Sequence, residues 1–368
     1  MRQDIIIIGA GIIGLASAER LLTQGASVTI LERNKVGQES SWAGGGILSP
    51  LLPWSYPNAV TQLTGYSNKL FPTWTSGLMK NTGIDPEYDK SGMLILPPFQ
   101  INIANDWCAA HGMKIEHTIV PITRINEENA ELAGKKIDDH ALYLPDIAQV
   151  RNPRLLRALY SRITQLGGKI IENCNVYPLN TKSQQVTSIK TSCGEFKADH
   201  FIVSTGAWSK ETLGTHALKL DIKPIRGQML LYKFDTPPIN HIVAREDFYI
   251  IPRKDGHILI GSTLEDVGFN KHTTSAAFEY LIGNAREILP ILHQMPVKQH
   301  WSGLRPASPQ NIPTIGRHPR IRNLLVSCGH FRYGVTMAPG SAEILVNELT
   351  GTAQPFDTAF YQAGWNDP

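Results

Sequence analysis

The first thirty residues carry a hydrophobic pattern that predicts a strand, a helix and a second strand. Residues 5–8 are a run of isoleucines, which is long enough for a buried strand. Residues 15–24 continue as a predicted helix, and Gly25 is suited to end it. Residues 28–31 form a second apolar run of strand length. The pattern therefore predicts a βαβ unit with two parallel strands.

A glycine-rich turn, GAGIIG at residues 9–14, lies between the first predicted strand and the helix. In this motif Gly9 permits the tight turn, Gly11 lets the backbone approach a pyrophosphate, and Gly14 lets helix and strand pack closely. The helix N-terminus then offers free N–H groups to the anion. Glu32 ends the second strand, where it is placed to accept from a ribose hydroxyl. These features together predict a dinucleotide site, and the alternative is an ordinary glycine-rich turn beside a solvated carboxylate.

Later segments are of two kinds. Some are of the α/β kind: a helix over residues 153–168, strands over 169–172, 201–204 and 324–327, and a final helix over 339–349 that starts at Pro339. Others are antiparallel: a meander over 185–203, strands over 229–234, 248–252 and 257–261, and a helix over 279–289. We therefore expect an α/β fold, α+β overall, in which a Rossmann-like dinucleotide-binding domain carries an inserted, mainly antiparallel β domain.

This pattern also suggests where the two domains divide. The dinucleotide-binding domain is expected to be discontinuous and to take residues 1–85, 145–220 and 305–368. Residues 86–144 and 221–304 are expected to form the substrate-binding domain. A length of 368 residues fits two domains.

Composition narrows the class of protein. A hydrophobic content of 42% and a charged content of 18% are typical of a globular protein with a core. The net charge of +3 comes from scattered residues, so no nucleic-acid partner is expected. The four cysteines form no CxxC pair and no zinc-like spacing, which favours a reduced, cytoplasmic chain without a metal site. No signal peptide and no membrane span are expected.

The chain carries a single complete dinucleotide fingerprint. The glycines at 44–46 have no strand before them, so they are not a second fingerprint. An enzyme that moves electrons from a nicotinamide to a flavin would often need two nucleotide sites. One fingerprint therefore favours one tightly held nucleotide, either FAD or NAD.

Several further motifs resemble the FAD-dependent D-amino acid oxidase family, and within it the glycine oxidases of the thiamine-synthesis type. They follow the fingerprint in order: SSWAGGGIL at residues 40–48, STGAW at 204–208, YIIPR at 249–253, WSGLRP at 301–306 and GHFRYG at 329–334. The resemblance covers nearly the whole chain. It implies FAD, held noncovalently, as the cofactor.

The resemblance also implies which residues contact FAD. Loop 40–46 is expected to follow the pyrophosphate and the ring, and loop 331–335 the pyrimidine edge, beside the last helix, whose positive end would stabilise charge on the reduced ring. The full expected set is Gly9, Gly11, Ile12, Ile13, Gly14, Glu32, Arg33, Ser40, Ser41, Gly44, Gly45, Gly46, Ile47, Val176, Ala207, Trp208, Gly303, Arg305, Phe331, Arg332, Tyr333, Gly334 and Val335.

Arg305 is the first candidate to bind a substrate carboxylate. Its planar guanidinium donates two parallel hydrogen bonds and stays charged at any working pH. The alternative for Arg305 is a structural ion pair. Tyr249 is expected to donate to the same carboxylate, with a half-buried strand tyrosine as its alternative, and the family resemblance directs Arg332 toward the same place.

Three positions depart from the family pattern. Ile47 and Leu264 stand where the pattern has methionine at the substrate pocket, and Tyr333 stands where it often has asparagine. These changes alter the volume and polarity of the expected pocket. They affect the substrate preference rather than the cofactor.

The resemblance implies oxidative deamination of glycine, sarcosine or a small D-amino acid. A hydride would pass from the substrate to flavin N5, and oxygen would reoxidise the flavin to give an oxo acid, ammonia and hydrogen peroxide, with the glycine imine available for thiazole synthesis. Hydride transfer needs no protein base, so no catalytic residue is expected and His330 is interpreted as structural. Cys328 does not match a position known for covalent flavin.

Three alternatives remain open at the level of sequence. The first is a D-amino acid dehydrogenase that passes electrons to a quinone. The second is a tRNA-modifying FAD oxidoreductase, and the third is a flavin-binding module without turnover. A homo-oligomer is also possible.

Overall fold

The computed structural model describes residues 3–119 and 140–365. The predicted substrate-domain segment 86–144 therefore includes residues 120–139, which lie outside the described residues. Among the described residues, no helix is both long and apolar enough to cross a membrane, and no three His, Cys, Asp or Glu side chains form a group that could hold a metal ion.

A six-stranded sheet contains the N-terminal unit. Its strands, in spatial order, are β16 (Thr314–Arg317), β17 (Leu324–Cys328), β10 (His200–Val203), β1 (Asp4–Ile8), β2 (Ser27–Leu31) and β6 (Lys169–Ile171). All neighbours are parallel except β16 and β17, which are antiparallel. The predicted βαβ unit is confirmed, with helix α1 (Ile12–Thr23) between β1 and β2.

The isoleucines of β1 divide between two cores because successive strand side chains point to opposite faces. Ile5 and Ile7 join the core under the helices α1, α3 (Asn58–Thr82), α5 (Asn152–Gln165) and α8 (Gly334–Thr350). Ile6 and Ile8 join a second core, which includes Val186 and Ile189 of a small sheet formed by β7 (Asn180–Lys182), β8 (Gln185–Thr191) and β9 (Gly194–Phe196). Burial on both faces explains the unbroken apolar run of β1.

The antiparallel segments form an eight-stranded sheet. Its order is β15 (Gln299–Ala307), β11 (Lys223–Lys233), β14 (His257–Gly261), β13 (Phe248–Pro252), β12 (Ile242–Arg245), β3 (Met93–Ile95), β5 (His140–Leu144) and β4 (Glu116–Ile119). Helix α7 (Ser275–Ile288) covers one face, and α4 (Ile101–His111) lies on the other. The two remaining helices are short, α2 (Ser40–Ala43) and α6 (Ser209–Leu213). Strand β15 crosses the boundary predicted between residues 304 and 305.

Two predicted elements differ from the structure. The meander over 185–203 is wrong at its end, because β10 leaves β9 and pairs in parallel with β1 and β17. Its four residues are mostly buried, as a central strand requires. The final helix begins at Gly334 and not at Pro339, which lies inside α8. Proline fits the first turn of a helix well but does not mark the start by itself.

Candidate active site

One elongated cavity is lined by residues of both large sheets. The carboxyl ends of β1, β2 and β17 line one part of it, and β11, β13 and β15 line another. A crevice beyond the carboxyl ends of parallel strands is the usual ligand site in this kind of fold. The cavity contains all the predicted site residues except Gly14 and Leu264.

The glycine turn has the geometry that its sequence predicts. Gly9 has a φ of +104°, which an L side chain rarely adopts. A Cβ on Gly14 would lie 2.1 Å from the Gly9 carbonyl oxygen, so Gly14 packs the helix against the strand and does not line the cavity. Helix α1 starts at Ile12 with Gly11 as its N-cap and no side-chain cap. The Ile12 N–H donates to Ser41 Oγ, so the remaining N–H groups of the first turn are the ones available near the cavity.

Glu32 is fixed at the end of β2 by two backbone donors. Its Oε2 accepts from the Ala10 N–H at 2.8 Å, and its Oε1 accepts from the Asn34 N–H at 2.9 Å. Each carboxylate oxygen keeps a second lone pair for a ligand. The side chain lines the cavity near Val176, the predicted adenine contact.

The serine loop is held against the helix start. Ser41 Oγ accepts from the Ile12 N–H at 2.9 Å, and Ser40 lines the same stretch of the cavity. Farther along, a Cβ on Gly45 would lie 2.5 Å from Ile251 Cδ1, and one on Gly46 would lie 2.1 Å from the Val150 carbonyl oxygen. These glycines are therefore required by close packing within the protein itself.

Two residues that the sequence analysis did not assign hold this loop in place. Asn152 Nδ2 donates to the carbonyl oxygens of Ser41 at 2.9 Å and Gly44 at 3.0 Å. Arg253 donates to the Gly45 carbonyl at 2.6 Å, and burial lowers the pKa of this arginine to about 10. Arg253 was visible in the YIIPR motif, but its role depends on a contact 208 residues away along the chain.

Arg33 and Trp208 meet at the edge of the cavity. The Arg33 guanidinium carbon lies 3.6 Å from the Trp208 ring centroid, a cation–π contact. Phe269 stacks on Trp208 with ring centroids 5.4 Å apart. Ala207 and Trp208 both line the cavity, as predicted.

Arg305 lies in the cavity without an acidic partner. Its Nη1 donates to the Thr263 carbonyl at 3.1 Å, and its Nη2 donates to Ser262 Oγ at 2.7 Å. No ion pair to Arg305 occurs within residues 3–119 and 140–365, so the described structure does not support the structural ion-pair alternative. The guanidinium lies over Gly227, where a Cβ would be 2.1 Å from Nη2. Burial, and next the positive charge of Arg332, lower the pKa of Arg305.

Tyr249 faces the same part of the cavity. Its ring packs over Gly261, where a Cβ would lie 2.6 Å from the ring, and its hydroxyl lies 3.8 Å from Met229 Sδ. A thioether is a weak acceptor, so this hydroxyl is free to donate to a better one. The side chain is 8% exposed, and its polar end is therefore sheltered but directed at the cavity.

Arg332 also lines the cavity, but it differs from Arg305 in having an anionic partner. Its guanidinium forms an ion pair with the Asp247 carboxylate. Burial disfavours the charged form of Arg332, but the neighbouring Tyr333 and Asp247 outweigh burial and raise its pKa. Asp247 lies between β12 and β13, and nothing in the sequence identifies it as a site residue.

The segment before α8 lines the cavity through Phe331 and Tyr333, and the start of α8 lines it through Gly334 and Val335. Helix α8 has no side-chain cap at its start, so its positive end faces the cavity, as expected, although five residues earlier than predicted. The Tyr333 ring meets the Tyr56 ring edge-on with centroids 5.1 Å apart. Tyr333 is buried and fills part of the pocket wall.

The two aliphatic departures have different outcomes. Ile47 lines the cavity, and its carbonyl accepts from Thr336 Oγ1 at 3.0 Å. Leu264 does not line the cavity and is 51% exposed, so its assignment to the substrate pocket is wrong. It follows β14 on a loop, next to Glu265, which pairs with Arg226.

His330 and Cys328 are buried beside the cavity. His330 Nε2 lies 3.0 Å from Ser341 Oγ, and burial lowers the pKa of this histidine to about 3. It is therefore neutral at working pH, which agrees with a structural role. Burial also raises the pKa of Cys328 to about 12, so its thiol is an inert, protonated group.

The chain matches the FAD dependent oxidoreductase (DAO) family model over residues 4–348. It therefore belongs to this family, as its motifs predict. Among similar proteins, a glycine oxidase of Pseudomonas putida is 38% identical over 363 residues, which are 98% of each chain. A bifunctional protein ThiO/ThiG of Trichormus variabilis is 31% identical over 94% of this chain and 52% of its own length.

The solved glycine oxidase of Geobacillus kaustophilus shares the fold. It superposes with a TM-score of 0.89 over 98% of each chain at 24% identity. The predicted α/β fold and the FAD dependence are thus confirmed by the family and the fold.

The cavity residues fit FAD in three respects. The glycine turn and the uncapped start of α1 suit a pyrophosphate, and Glu32 suits a ribose. Among the buried polar atoms of the cavity wall, Ser327 Oγ and Asn152 Oδ1 are without a hydrogen-bond partner in the described residues. Buried polar atoms are normally paired, so these two indicate a polar ligand.

Proposed function

We propose that this enzyme catalyses the oxidative deamination of glycine or another small amino acid, with sarcosine and small D-amino acids as further candidates. Molecular oxygen accepts the electrons in this proposal, and the products are an oxo acid, ammonia and hydrogen peroxide. A supply of glycine imine for thiazole synthesis is part of the proposal and rests on the resemblance to the thiamine-synthesis branch.

The arrangement of Arg305 carries the proposal. A half-buried arginine with only neutral hydrogen-bond partners in the described structure lacks the anion that such a site normally holds. Tyr249 shares the cavity and offers a second donor. A planar guanidinium and a hydroxyl that face one cavity suit a carboxylate. Resemblance to the glycine oxidase of P. putida supports an amino acid as the bearer of that carboxylate.

The chain's own residues would then orient the substrate. Arg305 and Tyr249 would hold the carboxylate, and this attachment fixes the direction of the Cα–H bond. Ile47 would limit the space for a side chain. FAD, when bound, supplies the acceptor for two electrons and a proton. No protein base is required, which agrees with the neutral, buried His330.

We infer that the cofactor is held noncovalently. Glu32, Arg33, Ser40 and Ser41 would hold its nucleotide half, and the loops 44–46 and 331–335 would surround its ring. A flavin thioether needs a reactive thiolate, and the buried Cys328 thiol is protonated.

The test is an anaerobic substrate panel that includes glycine, sarcosine, D-alanine and L-alanine. We expect glycine to bleach the flavin absorption, and Arg305→Met to lower kcat/KM by about 100-fold or more because the carboxylate loses its charged partner. Arg305→Lys keeps the positive charge but loses the planar guanidinium that donates two parallel hydrogen bonds. Its kcat/KM should therefore lie between that of the parent and that of Arg305→Met. Both variants should retain FAD.

The acceptor is tested separately. Peroxide formed with oxygen as sole acceptor supports the oxidase, whereas bleaching without peroxide supports the quinone-linked dehydrogenase. If no amino acid bleaches the flavin, or if Arg305→Met is as active as the parent, the proposal is wrong.

A further inference from the structure

Two arginines line the inner part of the cavity, Arg305 and Arg332. Burial lowers the pKa of Arg305 and the charge of Arg332 lowers it further, whereas Tyr249 and the charge of Asp247 act in the opposite direction. Two free arginines in one pocket would bind a substrate with two anionic groups, because each guanidinium can hold one carboxylate or phosphonate. Within the described residues, Arg332 has an anionic partner and Arg305 has none.

The second arginine is neutralised by the protein itself. The Asp247 carboxylate pairs with the Arg332 guanidinium, and the Asp247 carbonyl oxygen lies 3.4 Å from Arg332 Nη2. The Arg332 side chain is only 10% exposed, so this pair is partly withdrawn from solvent. The hydrogen bonds of Arg305 go instead to a neutral hydroxyl and a backbone carbonyl.

Asp247 is placed so that it can act on Arg332 without being part of the pocket wall. It lies in the tight turn between β12 and β13, its side chain is 62% exposed, and it does not line the cavity. Strand β13 also carries Tyr249, two residues farther on. The turn that positions the tyrosine therefore also positions the carboxylate.

We propose that Asp247 is a specificity-determining residue, which masks Arg332 and thereby restricts the site to substrates with a single carboxylate. This inference rests on the proposed function for the role of Arg305. A substrate with a second acid group would have to displace Asp247 from Arg332 before its second group could bind. Without that displacement, the second group would meet Arg332 already paired with the Asp247 carboxylate, which would repel it.

The first experiment measures binding, which needs no turnover. Calorimetry on the FAD-loaded protein compares succinate with butyrate, which lacks the second carboxylate. We expect the parent to favour butyrate. Asp247→Asn should shift the succinate-to-butyrate affinity ratio by about tenfold or more toward succinate, since one carboxylate then reaches a free Arg332.

The second experiment measures selectivity in turnover. The kcat/KM for iminodiacetate is compared with that for N-ethylglycine, a secondary amine with one carboxylate. Asp247→Asn should raise this ratio by about tenfold. Asp247→Glu should keep the parental ratio, because it retains a carboxylate that can pair with Arg332. Arg332→Met combined with Asp247→Asn should abolish the gain, because the cation that the second acid group needs is absent.

Glu246→Gln is the matched control. Glu246 is the exposed neighbour of Asp247 in the same turn, and the change removes the same charge without touching Arg332. Its succinate-to-butyrate affinity ratio and its iminodiacetate-to-N-ethylglycine kcat/KM ratio should equal those of the parent. Equal gains in Glu246→Gln and Asp247→Asn would overturn the proposal in favour of a general charge effect, and so would an unchanged ratio in Asp247→Asn.

The binding arm separates two kinds of failure. If no amino acid is oxidised but the affinity ratio of succinate to butyrate rises in Asp247→Asn, the proposed function is wrong and the proposed role of Asp247 is supported. If glycine is oxidised but neither the affinity ratio nor the kcat/KM ratio changes in Asp247→Asn, only the proposed role of Asp247 is wrong.

Discussion

The two ends of the cavity are built in different ways. At the nucleotide end, close-packed glycines, a helix start and one strand-end carboxylate come from residues 9–46, a single stretch of chain. At the carboxylate end, Arg305, Tyr249 and Arg332 come from β15, from β13 and from the loop before α8. The first end relies on backbone shape and the second on charged side chains. Backbone shape can be encoded locally, whereas a charged pocket needs several strands brought together.

The largest expected effect of a single substitution on FAD binding and on stability is at Gly14, which packs the glycine turn. Gly14→Ala places a Cβ 2.1 Å from the Gly9 carbonyl and 2.7 Å from Ser204 Oγ. We expect loss of bound FAD and a fall of about 3 kcal/mol in the free energy of unfolding, because backbone must move. Flavin absorbance of the purified protein and denaturant unfolding measure the two effects.

Gly77→Ala is its control. Gly77 lies inside α3, and no atom lies within 4 Å of the added Cβ. This variant should keep its FAD and gain about 1 kcal/mol of stability, since alanine is the better helix former. Equal FAD content in the two alanine variants would contradict the packing role of Gly14.

A smaller effect is expected at Glu32. Glu32→Gln replaces a carboxylate that accepts from two backbone N–H groups, and one of these would then face an amide NH₂. We expect FAD affinity to fall by about tenfold to 100-fold, because a hydrogen bond to a charged group contributes a free energy of that size. Titration of the apoprotein with FAD measures it.

The same variant sharpens the contrast between the ends. With saturating FAD, the KM for the amino acid should be unchanged in Glu32→Gln, since the carboxylate end is untouched. Glu172→Gln removes an equal charge from a residue outside this cavity and should leave FAD affinity as it was. A changed substrate KM would show that the two ends are coupled.

The smallest effect on activity is expected at His330. Its folded-state pKa of about 3 lies below the ordinary value, so the unfolded state binds more protons between about pH 6.5 and 3. The stabilisation is present above about pH 6.5 and is lost as the pH falls toward 3. His330→Asn should reduce this acid sensitivity in unfolding experiments and should keep flavin reduction within about tenfold of the parent.

A loss of several orders of magnitude in flavin reduction would instead identify His330 as a base. In that case the pH profile of the reduction rate would also change in the variant. If the free energy of unfolding of His330→Asn depends on pH between about 6.5 and 3 as strongly as that of the parent, burial of His330 is not a cause of the acid sensitivity.

Much of the fold is predictable because its signals are local. The isoleucine run, the glycine turn and Glu32 each have a sequence signature, and the structure confirms the βαβ unit they predict. The start of α8 was less predictable, since Pro339 fits a first turn but lies inside the helix. The partners of β10 were predictable only in part, because residues 201–204 fit a buried strand of the α/β kind and also fit the end of a meander.

The candidate site was predictable only where a residue type implies its own chemistry. Arg305 was identified from its guanidinium and its motif, and the structure adds that it has no anionic partner in the described residues. Asp247 and Arg253 carry no such signal in the sequence. Their roles depend on Arg332 and Gly45, which are 85 and 208 residues away along the chain.

The sequence by itself determined the nucleotide end, because a glycine turn between strand and helix needs only neighbouring residues to form. It also determined the family, through motifs in a fixed order. Only the tertiary structure decided that, among the described residues, Arg332 is paired with Asp247 while Arg305 has no anionic partner. The physical reason is that the availability of a charge depends on which opposite charge lies beside it, and that depends on how distant strands pair.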